Sequence, residues 1–187
     1  LHLSIRRQRQ MCIRDSVKAI REISPTRTIV IDGISWGNDP SPELADLGAA
    51  QSCRGYHPIG ISHFNAPWMK GSDAYPTPTW PGGYHVDGPA WDRARLDAHH
   101  DQWASLFKAD VGVHCGECGA HNRTPHDVFL AWLRDVLESL AERRIGYALW
   151  NFRGSFGVLD SKRDDVVYED WHGHLLDRKL LDLLRSI

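Results

Sequence analysis

Residues 110–152 read DVGVHCGECGAHNRTPHDVFLAWLRDVLESLAERRIGYALWNF and predict a strand, a helix and a second strand in succession. Asp110–Cys115 is a short apolar run of the kind found in buried strands. Pro125–Arg144 places apolar residues at three-and-four spacing, which predicts an amphipathic helix, and Gly146–Phe152 predicts the next strand. This succession is typical of a parallel sheet covered by helices.

The same alternation extends on both sides of this segment. Val17–Ile23 predicts the end of a helix, Thr28–Asp32 a buried strand and Ser52–Tyr56 a weaker strand. A loop rich in Gly, Pro and Trp covers about residues 58–88. The remaining predicted helices are Ser41–Ala50, Trp91–Lys108 and Leu175–Ile187. Four strands, each followed by a helix, predict either half of a (β/α)₈ barrel or a small open α/β sheet, and periodicity does not separate these two folds.

The first sixteen residues, LHLSIRRQRQMCIRDS, differ in composition from the rest of the chain. They carry four arginines against one aspartate, whereas the whole chain of 187 residues has a net charge of −2. The string resembles translated sequencing-adapter sequence, so we expect residues 1–16 to be a non-native segment preceding a domain of residues 17–187. A basic amphipathic arm is the alternative interpretation.

Composition argues against several classes of protein. A net charge of −2 and a pI near 6.6 argue against binding to nucleic acid. No apolar run reaches the roughly 18 residues that a membrane span requires. The four cysteines define no disulfide framework and do not assign a compartment. Eight tryptophans, several of them in Gly- and Pro-rich segments, either suit the apolar faces of sugar rings or are ordinary core and loop-anchoring residues.

One carboxylate stands at a predicted strand end, which is where parallel α/β folds place their active sites. Glu117 follows the strand Asp110–Cys115 and lies between Gly116 and Gly119, which allow a sharp turn and close approach of a ligand. A carboxylate held there can attack the anomeric carbon of a sugar. The pattern Gly-Glu-x-Gly also occurs in ordinary turns, so the motif taken alone leaves both interpretations open.

Four ordered blocks make the interpretation more specific. They are RGYHP (54–58) with ISHFNAPW (61–68), GVHCGECG (112–119), YALWNFRGSFGVLD (147–160) and YEDWHGHLLDRK (168–179). Together they resemble glycoside hydrolase family 5, the cellulase family, over about residues 17–187. The resemblance implies the C-terminal half of a (β/α)₈ TIM barrel, strands 5–8 with their helices. It also implies a retaining enzyme that cleaves β-linked glucan and needs no cofactor or metal.

The same resemblance implies roles for individual residues. Glu117 would be the nucleophile, and Tyr56 would donate a hydrogen bond that orients it. Trp150 would form a platform beneath the sugar next to the cleaved bond. Weaker candidates for substrate contact or support of the site are Trp36, His63, His57 and Arg54. The family usually has a histidine at the position of Arg54, so the roles of Arg54 and of the nearby His57 are less defined.

The second catalytic carboxyl of this family is not found in the sequence. A retaining glycosidase needs an acid/base in addition to its nucleophile, and the family carries it in an Asn-Glu pair that occurs nowhere in this chain. We therefore expect an N-terminally truncated, inactive fragment whose missing strand would precede Val17. The alternatives are a non-catalytic carbohydrate-binding protein and a parent enzyme that acts on β-mannan. Exposed half-barrel edges would favour self-association.

A zinc site is the rival interpretation of the Glu117 segment. His114, Cys115, Cys118 and His121 lie within eight residues, and Cys-x-x-Cys is a common half of a zinc site. No second Cys-x-x-Cys follows it, and His114 and Cys115 would point to opposite faces of a strand. We therefore expect no metal.

Overall fold

The computed structural model describes residues 2–82 and 89–187 and contains a parallel sheet of four strands in the order β1-β2-β3-β4. The strands are β1 (Val30–Asp32), β2 (Ala50–Gly55), β3 (Val113–Cys118) and β4 (Gly146–Leu149). A separate antiparallel pair consists of β5 (Glu169–Trp171) and β6 (His174–Leu176). Strands that pair with their sequence neighbours in parallel are those expected of consecutive βα units, which confirms the predicted fold class.

Helices and helical turns connect the strands. The helices are α1 (His2–Ile23), α2 (Ile34–Gly37), α3 (Ile59–Ser62), α4 (Arg93–Ala104), α5 (His126–Glu142) and α6 (Arg178–Arg185). The 3₁₀ segments are Pro42–Leu47, Ser72–Ala74 and Ser105–Ala109. The helix predicted over Ser41–Ala50 is thus a 3₁₀ turn, and β2 begins at its last residue. The end of the predicted loop, residues 83–88, lies outside the described residues.

The chain forms two compact units, Leu1–Cys53 with Gln102–His114 and Arg54–Asp101 with Cys115–Ile187. In the first unit Val17, Ile31 and Leu44 are buried in one apolar cluster, and Ile13 packs against it. Arg14 forms an ion pair of 2.6 Å with Asp46. Helix α1 spans His2–Ile23 and so runs without a break across the boundary that the sequence predicts after residue 16. No helix ends at that boundary.

The second unit is built on the apolar face of α5. The fully buried residues of this face are Phe129, Trp132, Leu133, Val136, Leu137 and Leu140. Gly55 at the end of β2 lies so close to β3 and α5 that an added Cβ would come within 2.9 Å of Cys118 Cβ and 3.4 Å of Val136 Cγ1. A glycine at this position therefore lets the two strands and the helix pack closely. Among the described residues no helix is both long and apolar enough to cross a bilayer.

Candidate active site

The site begins where β2 and β3 end. The sequence predicts a strand that ends at Cys115 with Glu117 just after it, but β3 runs to Cys118, so Glu117 lies within the strand. The hydroxyl of Tyr56 donates a hydrogen bond of 2.9 Å to Glu117 Oε2. Arg54 Nε lies 3.3 Å from Glu117 Oε1. Each carboxylate oxygen thus faces a donor from β2 or the residue that follows it, which fixes the orientation of the carboxylate.

The electrostatics favour Tyr56 as a permanent donor. Burial raises the pKa of the Tyr56 hydroxyl, and the hydrogen bond to Glu117 raises it further. A phenol next to a carboxylate resists ionisation because the second negative charge would be repelled. Tyr56 therefore keeps its proton and donates it in the hydrogen bond to Glu117.

Glu117 opens onto a cavity of about 420 Å³. The lining residues are Tyr56, His63, Trp68, Glu117, Trp150, Ser155 and Phe156. Trp68 is 58% exposed and Trp150 is 49% exposed, which is unusual for tryptophan. Flat, half-exposed indole faces beside a carboxylate offer apolar surface to a ring-shaped ligand and a charge to its reacting atom.

Trp150 reaches this cavity because β4 ends beside β3. Its backbone N–H donates a hydrogen bond of 2.7 Å to the carbonyl of Cys118. Gly119 has φ of 137°, and a Cβ there would lie 2.7 Å from the carbonyl oxygen of Trp150. Only glycine combines that backbone conformation with this close approach. The glycine that sequence analysis connected with a turn thus holds the two strand ends together.

Two histidines contact the aromatic residues of this cavity. The ring of His63 meets the ring of Tyr56 edge-on at 5.1 Å, and that of His121 meets Trp68 edge-on at 4.9 Å. Burial and the neighbouring His121 lower the pKa of His63 to about 4. Burial also lowers the pKa of His121. His63 is therefore a neutral imidazole near pH 7.

The structure brings together some of the predicted site residues and not others. Glu117, Tyr56, Trp150 and His63 line the cavity, and Arg54 contacts Glu117 directly. His57 instead stacks its ring on Trp91 at 5.2 Å and is not among the lining residues. Trp36 belongs to the other unit, on a turn where it is 88% exposed with φ of 59°.

Sequence reasoning did not assign Trp68, Phe156 or Ser155 to the site. Trp68 and Phe156 occur within the quoted blocks ISHFNAPW and YALWNFRGSFGVLD. Their rings lie 5.9 Å apart in the structure and form one wall of the cavity. An aromatic residue in a block that follows a strand end was the available signal, but spacing does not show which aromatics converge.

The proposed zinc ligands do not converge. The thiol of Cys115 points to the backbone oxygen of Glu117 at 3.3 Å, and that of Cys118 to the oxygen of Ala148 at 3.5 Å. His114 is exposed, whereas His121 packs on Trp68. Within the part of the chain that the structure describes, no group of three or more His, Cys, Asp or Glu side chains has metal-binding geometry.

A parallel α/β sheet with a carboxylate and an aromatic cavity at its strand ends suits a glycoside hydrolase, and sequence comparison identifies that class. The profile of the cellulase family, glycosyl hydrolase family 5, matches residues 11–155. The chain therefore belongs to glycosyl hydrolase family 5. That family was the one expected from the four sequence blocks.

Individual relatives are similar to this chain over most of its length. Endoglucanase C of Acetivibrio thermocellus is 26% identical over 83% of this chain and 52% of its own length. A crystal structure of a glycoside hydrolase superimposes with a TM-score of 0.90 and 41% identity, covering 97% of this chain and 55% of the other. Thermotoga maritima Cel5A in complex with cellobiose gives a TM-score of 0.70 at 22% identity, covering 92% of this chain and 52% of the other. The chain thus spans about half the length of these proteins.

Proposed function

We propose that this chain carries the nucleophile half of a retaining glycoside hydrolase that cleaves β-linked glucan, with Glu117 as the nucleophile. The main observation behind this proposal is that both carboxylate oxygens of Glu117 contact a donor. Tyr56 Oη lies 2.9 Å from one oxygen and Arg54 Nε lies 3.3 Å from the other. Both donors orient the carboxylate of Glu117, and a carboxylate oxygen is the group that attacks an anomeric carbon. The side chain is 30% exposed, so a substrate can reach it.

The aromatic residues supply the binding surface in this mechanism. Trp150 is the platform beneath the sugar whose bond is cleaved, and Trp68 faces the same cavity. Stacking on flat indole faces orients the ring of the sugar so that its anomeric carbon meets Glu117. Tyr56 keeps the carboxylate in the attacking orientation, and Arg54 acts on Glu117 rather than on the sugar. Of the two roles that the sequence left open for Arg54, substrate contact and support of the site, this assignment is the second.

Complete hydrolysis of an unactivated glycoside needs a second carboxyl that protonates the leaving oxygen. The sequence contains no Asn-Glu pair of the kind in which the family carries that group. We therefore propose that the chain by itself forms the covalent glycosyl intermediate with activated glycosides and does not turn over polymeric glucan. Formation of the glycosyl intermediate and turnover of the polymer must therefore be measured separately, because a single activity assay combines them.

The test uses a dinitrophenyl β-cellobioside that carries fluorine in place of the hydroxyl next to the anomeric carbon. A carboxylate oxygen of Glu117 attacks the anomeric carbon, and dinitrophenolate leaves with the bonding electron pair, so no acid is required. We expect intact-mass spectrometry to show one added fluoro-cellobiosyl group and peptide mapping to place it on Glu117. Label at another residue, or no label at saturating reagent, contradicts the assignment.

The substrate class is tested with the same chemistry. Solved relatives include Cel5A of Thermotoga maritima with cellobiose and with mannotriose, which makes β-glucan and β-mannan the two relevant probes. We propose β-glucan and expect the cellobioside reagent to label faster than the corresponding mannobioside. Faster labelling by the mannobioside would assign the site to mannan.

A non-catalytic carbohydrate-binding function is the second candidate. The exposed faces of Trp68 and Trp150 favour it, because they can stack on a sugar without any reaction. Quenching of tryptophan fluorescence by cello-oligosaccharide, without labelling of Glu117, would support binding alone. Labelling that cello-oligosaccharide competes away supports the catalytic proposal.

We further propose that the isolated chain self-associates through β1. Val30 on this strand is 52% exposed, and the strand pairs with β2 on one side only among the described residues. An apolar strand edge of this kind recruits further strands. Light scattering after size exclusion is expected to show species larger than a monomer, with fewer of them in Val30→Lys. A monodisperse monomer at micromolar concentration would contradict this proposal.

A further inference from the structure

Ser62 connects three residues around the cavity, although it does not line the cavity itself. It ends the one-turn helix α3 and is fully buried. Its hydroxyl donates to the backbone oxygen of Tyr56 at 2.5 Å and lies 2.8 Å from Nδ1 of His63. Its own carbonyl accepts a hydrogen bond of 2.9 Å from the N–H of His121. Sequence analysis gave Ser62 no role.

The number of protons at this junction determines which nitrogen of His63 carries its hydrogen. A serine hydroxyl has one proton, and a backbone carbonyl can only accept a hydrogen bond. The proton of Ser62 is therefore committed to Tyr56, and Ser62 Oγ must accept from Nδ1 of His63. Nδ1 then carries the ring hydrogen, and Nε2 of the neutral ring carries a lone pair.

The second nitrogen of His63 belongs to the cavity. His63 is one of the lining residues, together with Glu117 and Trp68. Among the described residues no hydrogen bond to Nε2 is found, while Nδ1 is occupied by Ser62. An acceptor in an aromatic cavity binds a donor, and the donors that a sugar presents are its hydroxyl groups.

We propose that Ser62 is a positioning residue that fixes His63 as its Nδ1–H tautomer and so makes Nε2 a hydrogen-bond acceptor for a substrate hydroxyl. The part that concerns the substrate rests on the proposed function of the site. The part that concerns the tautomer does not, because it follows from the hydrogen bonds of Ser62 alone. The tautomer of His63 and its contact with a substrate hydroxyl can therefore be disproved independently of each other.

A second serine–histidine pair in the same unit provides a matched control. His100 Nδ1 lies 2.8 Å from Ser139 Oγ, and Ser139 donates its proton to Asp97 Oδ1 at 2.6 Å. The same proton count makes His100 an Nδ1–H tautomer. Neither His100 nor Ser139 lines the cavity. Ser139→Ala should therefore change the signals of His100 and leave those of His63 unaltered.

The experiment records long-range proton–nitrogen spectra of the full chain labelled with ¹⁵N-histidine, near pH 7. His63→Gln and His100→Gln assign the two sets of signals by their disappearance. We expect Nδ1 of His63 to be protonated and Nε2 to be of the lone-pair type. Ser62→Ala should convert His63 wholly or partly to the other tautomer, and Ser62→Thr should retain Nδ1–H because it keeps the hydroxyl. The unchanged signals of His100 report that Ser62→Ala is folded.

Labelling of Glu117 provides the functional measurement. We expect Ser62→Ala to slow labelling by the fluoro-cellobioside about tenfold, which corresponds to the loss of one good hydrogen bond, and Ser62→Thr to restore it. An Nε2–H tautomer in the unsubstituted chain, or an unchanged tautomer in a folded Ser62→Ala variant, would overturn the assignment to Ser62. The expected tautomer combined with equal labelling rates would overturn the part that concerns the substrate. Absence of labelling in every variant would contradict the proposed function and with it the substrate role of His63, while the tautomer result stands by itself.

Discussion

Glu117 and Asp177 are two carboxylates of the same unit, each held by neighbouring donors, and they differ in access. Asp177 accepts a hydrogen bond of 3.0 Å from Leu180 N–H, which caps α6, and its Oδ2 lies 2.8 Å from His126 Nε2. Its side chain is 1% exposed, against 30% for Glu117. Arg163 is buried in the same unit and donates hydrogen bonds to the backbone carbonyls of Thr124 and Ala120.

The difference shows how one kind of group serves two purposes. Burial would raise the pKa of Asp177, but the adjacent His126 ring and the hydrogen bond from the N–H of Leu180 outweigh it, and the pKa is lowered. A buried carboxylate that caps a helix through Oδ1 and places Oδ2 beside the His126 ring stabilises the fold and meets no substrate. Glu117 is also held through both oxygens, but it faces a cavity of about 420 Å³. Access, rather than the presence of donors, separates the proposed nucleophile Glu117 from the structural carboxylate Asp177.

The largest expected effect is on labelling in Glu117→Gln. Since an amide is not a nucleophile of comparable strength, the labelling rate should fall more than about a thousandfold. The free energy of unfolding should change by less than about 1 kcal/mol, because the amide still accepts the hydrogen bond of Tyr56. Glu169→Gln, an exposed change on β5, is the matched control and should label normally. Normal labelling of Glu117→Gln would place the nucleophile elsewhere.

The opposite result is expected for Asp177→Ala. The change removes the cap of α6 and leaves His126 buried without its carboxylate, which should lower the free energy of unfolding by about 3 kcal/mol. Asp182→Ala, on the exposed side of α6, should change it by less than about 0.5 kcal/mol. Urea unfolding followed by far-UV circular dichroism measures both. Equal stability of the two variants would show that Asp177 contributes nothing beyond an exposed carboxylate.

Tyr56→Phe tests whether the hydrogen bond of Tyr56 orients Glu117, and it should lower the labelling rate less than Glu117→Gln does. Loss of one hydrogen bond to the carboxylate should slow labelling about tenfold while leaving the label on Glu117. The control is Tyr75→Phe, which removes a hydroxyl that contacts Met69 in the same unit. Rates measured by intact mass should separate the two variants. If both label equally fast, Tyr56 does not orient the nucleophile.

Acid should destabilise the two regions in different pH ranges. The pKa of His63 is about 4 in the folded chain and about 6.5 when unfolded, so the unfolded state binds more protons between these values. Stability conferred by neutral His63 is therefore complete above about pH 6.5 and is lost as the pH falls toward 4. Asp177, with a lowered pKa, should lose its contribution only below the ordinary aspartate pKa of about 3.9.

Unfolding free energies measured from pH 7 to 3 test this separation. His63→Gln should flatten the profile between about pH 6.5 and 4, and Asp177→Ala should flatten it only below about pH 3.9. His100, whose pKa is lowered to about 3 by burial, contributes equally to both variants and cancels in the comparison. A profile of His63→Gln that parallels that of the unsubstituted chain would contradict the account of His63.

Strong local patterns in the sequence predicted much of the fold. The apolar spacing of Pro125–Arg144 predicted α5 to within two residues at each end, because a buried face repeats every three or four positions. The prediction of a helix over Ser41–Ala50 was wrong, since a short stretch led by Pro42 fits a 3₁₀ turn as well as a helix. The pair β5–β6 was missed because strands of three residues are too short to show a period, and the helix predicted over Leu175–Ile187 wrongly included Leu175 and Leu176 of β6. The status of residues 1–16 as a non-native segment stays a prediction.

By itself the sequence determined the family, the parallel α/β architecture and the placement of Glu117, Tyr56 and Trp150 at strand ends. These depend on motifs and periods that are local along the chain. Only the tertiary structure decided that Arg54 faces Glu117, that His57 stacks on Trp91 and that Trp68 joins the cavity. Those outcomes depend on side-chain directions and on contacts between residues far apart in the chain. The order of residue types along a chain does not specify such contacts.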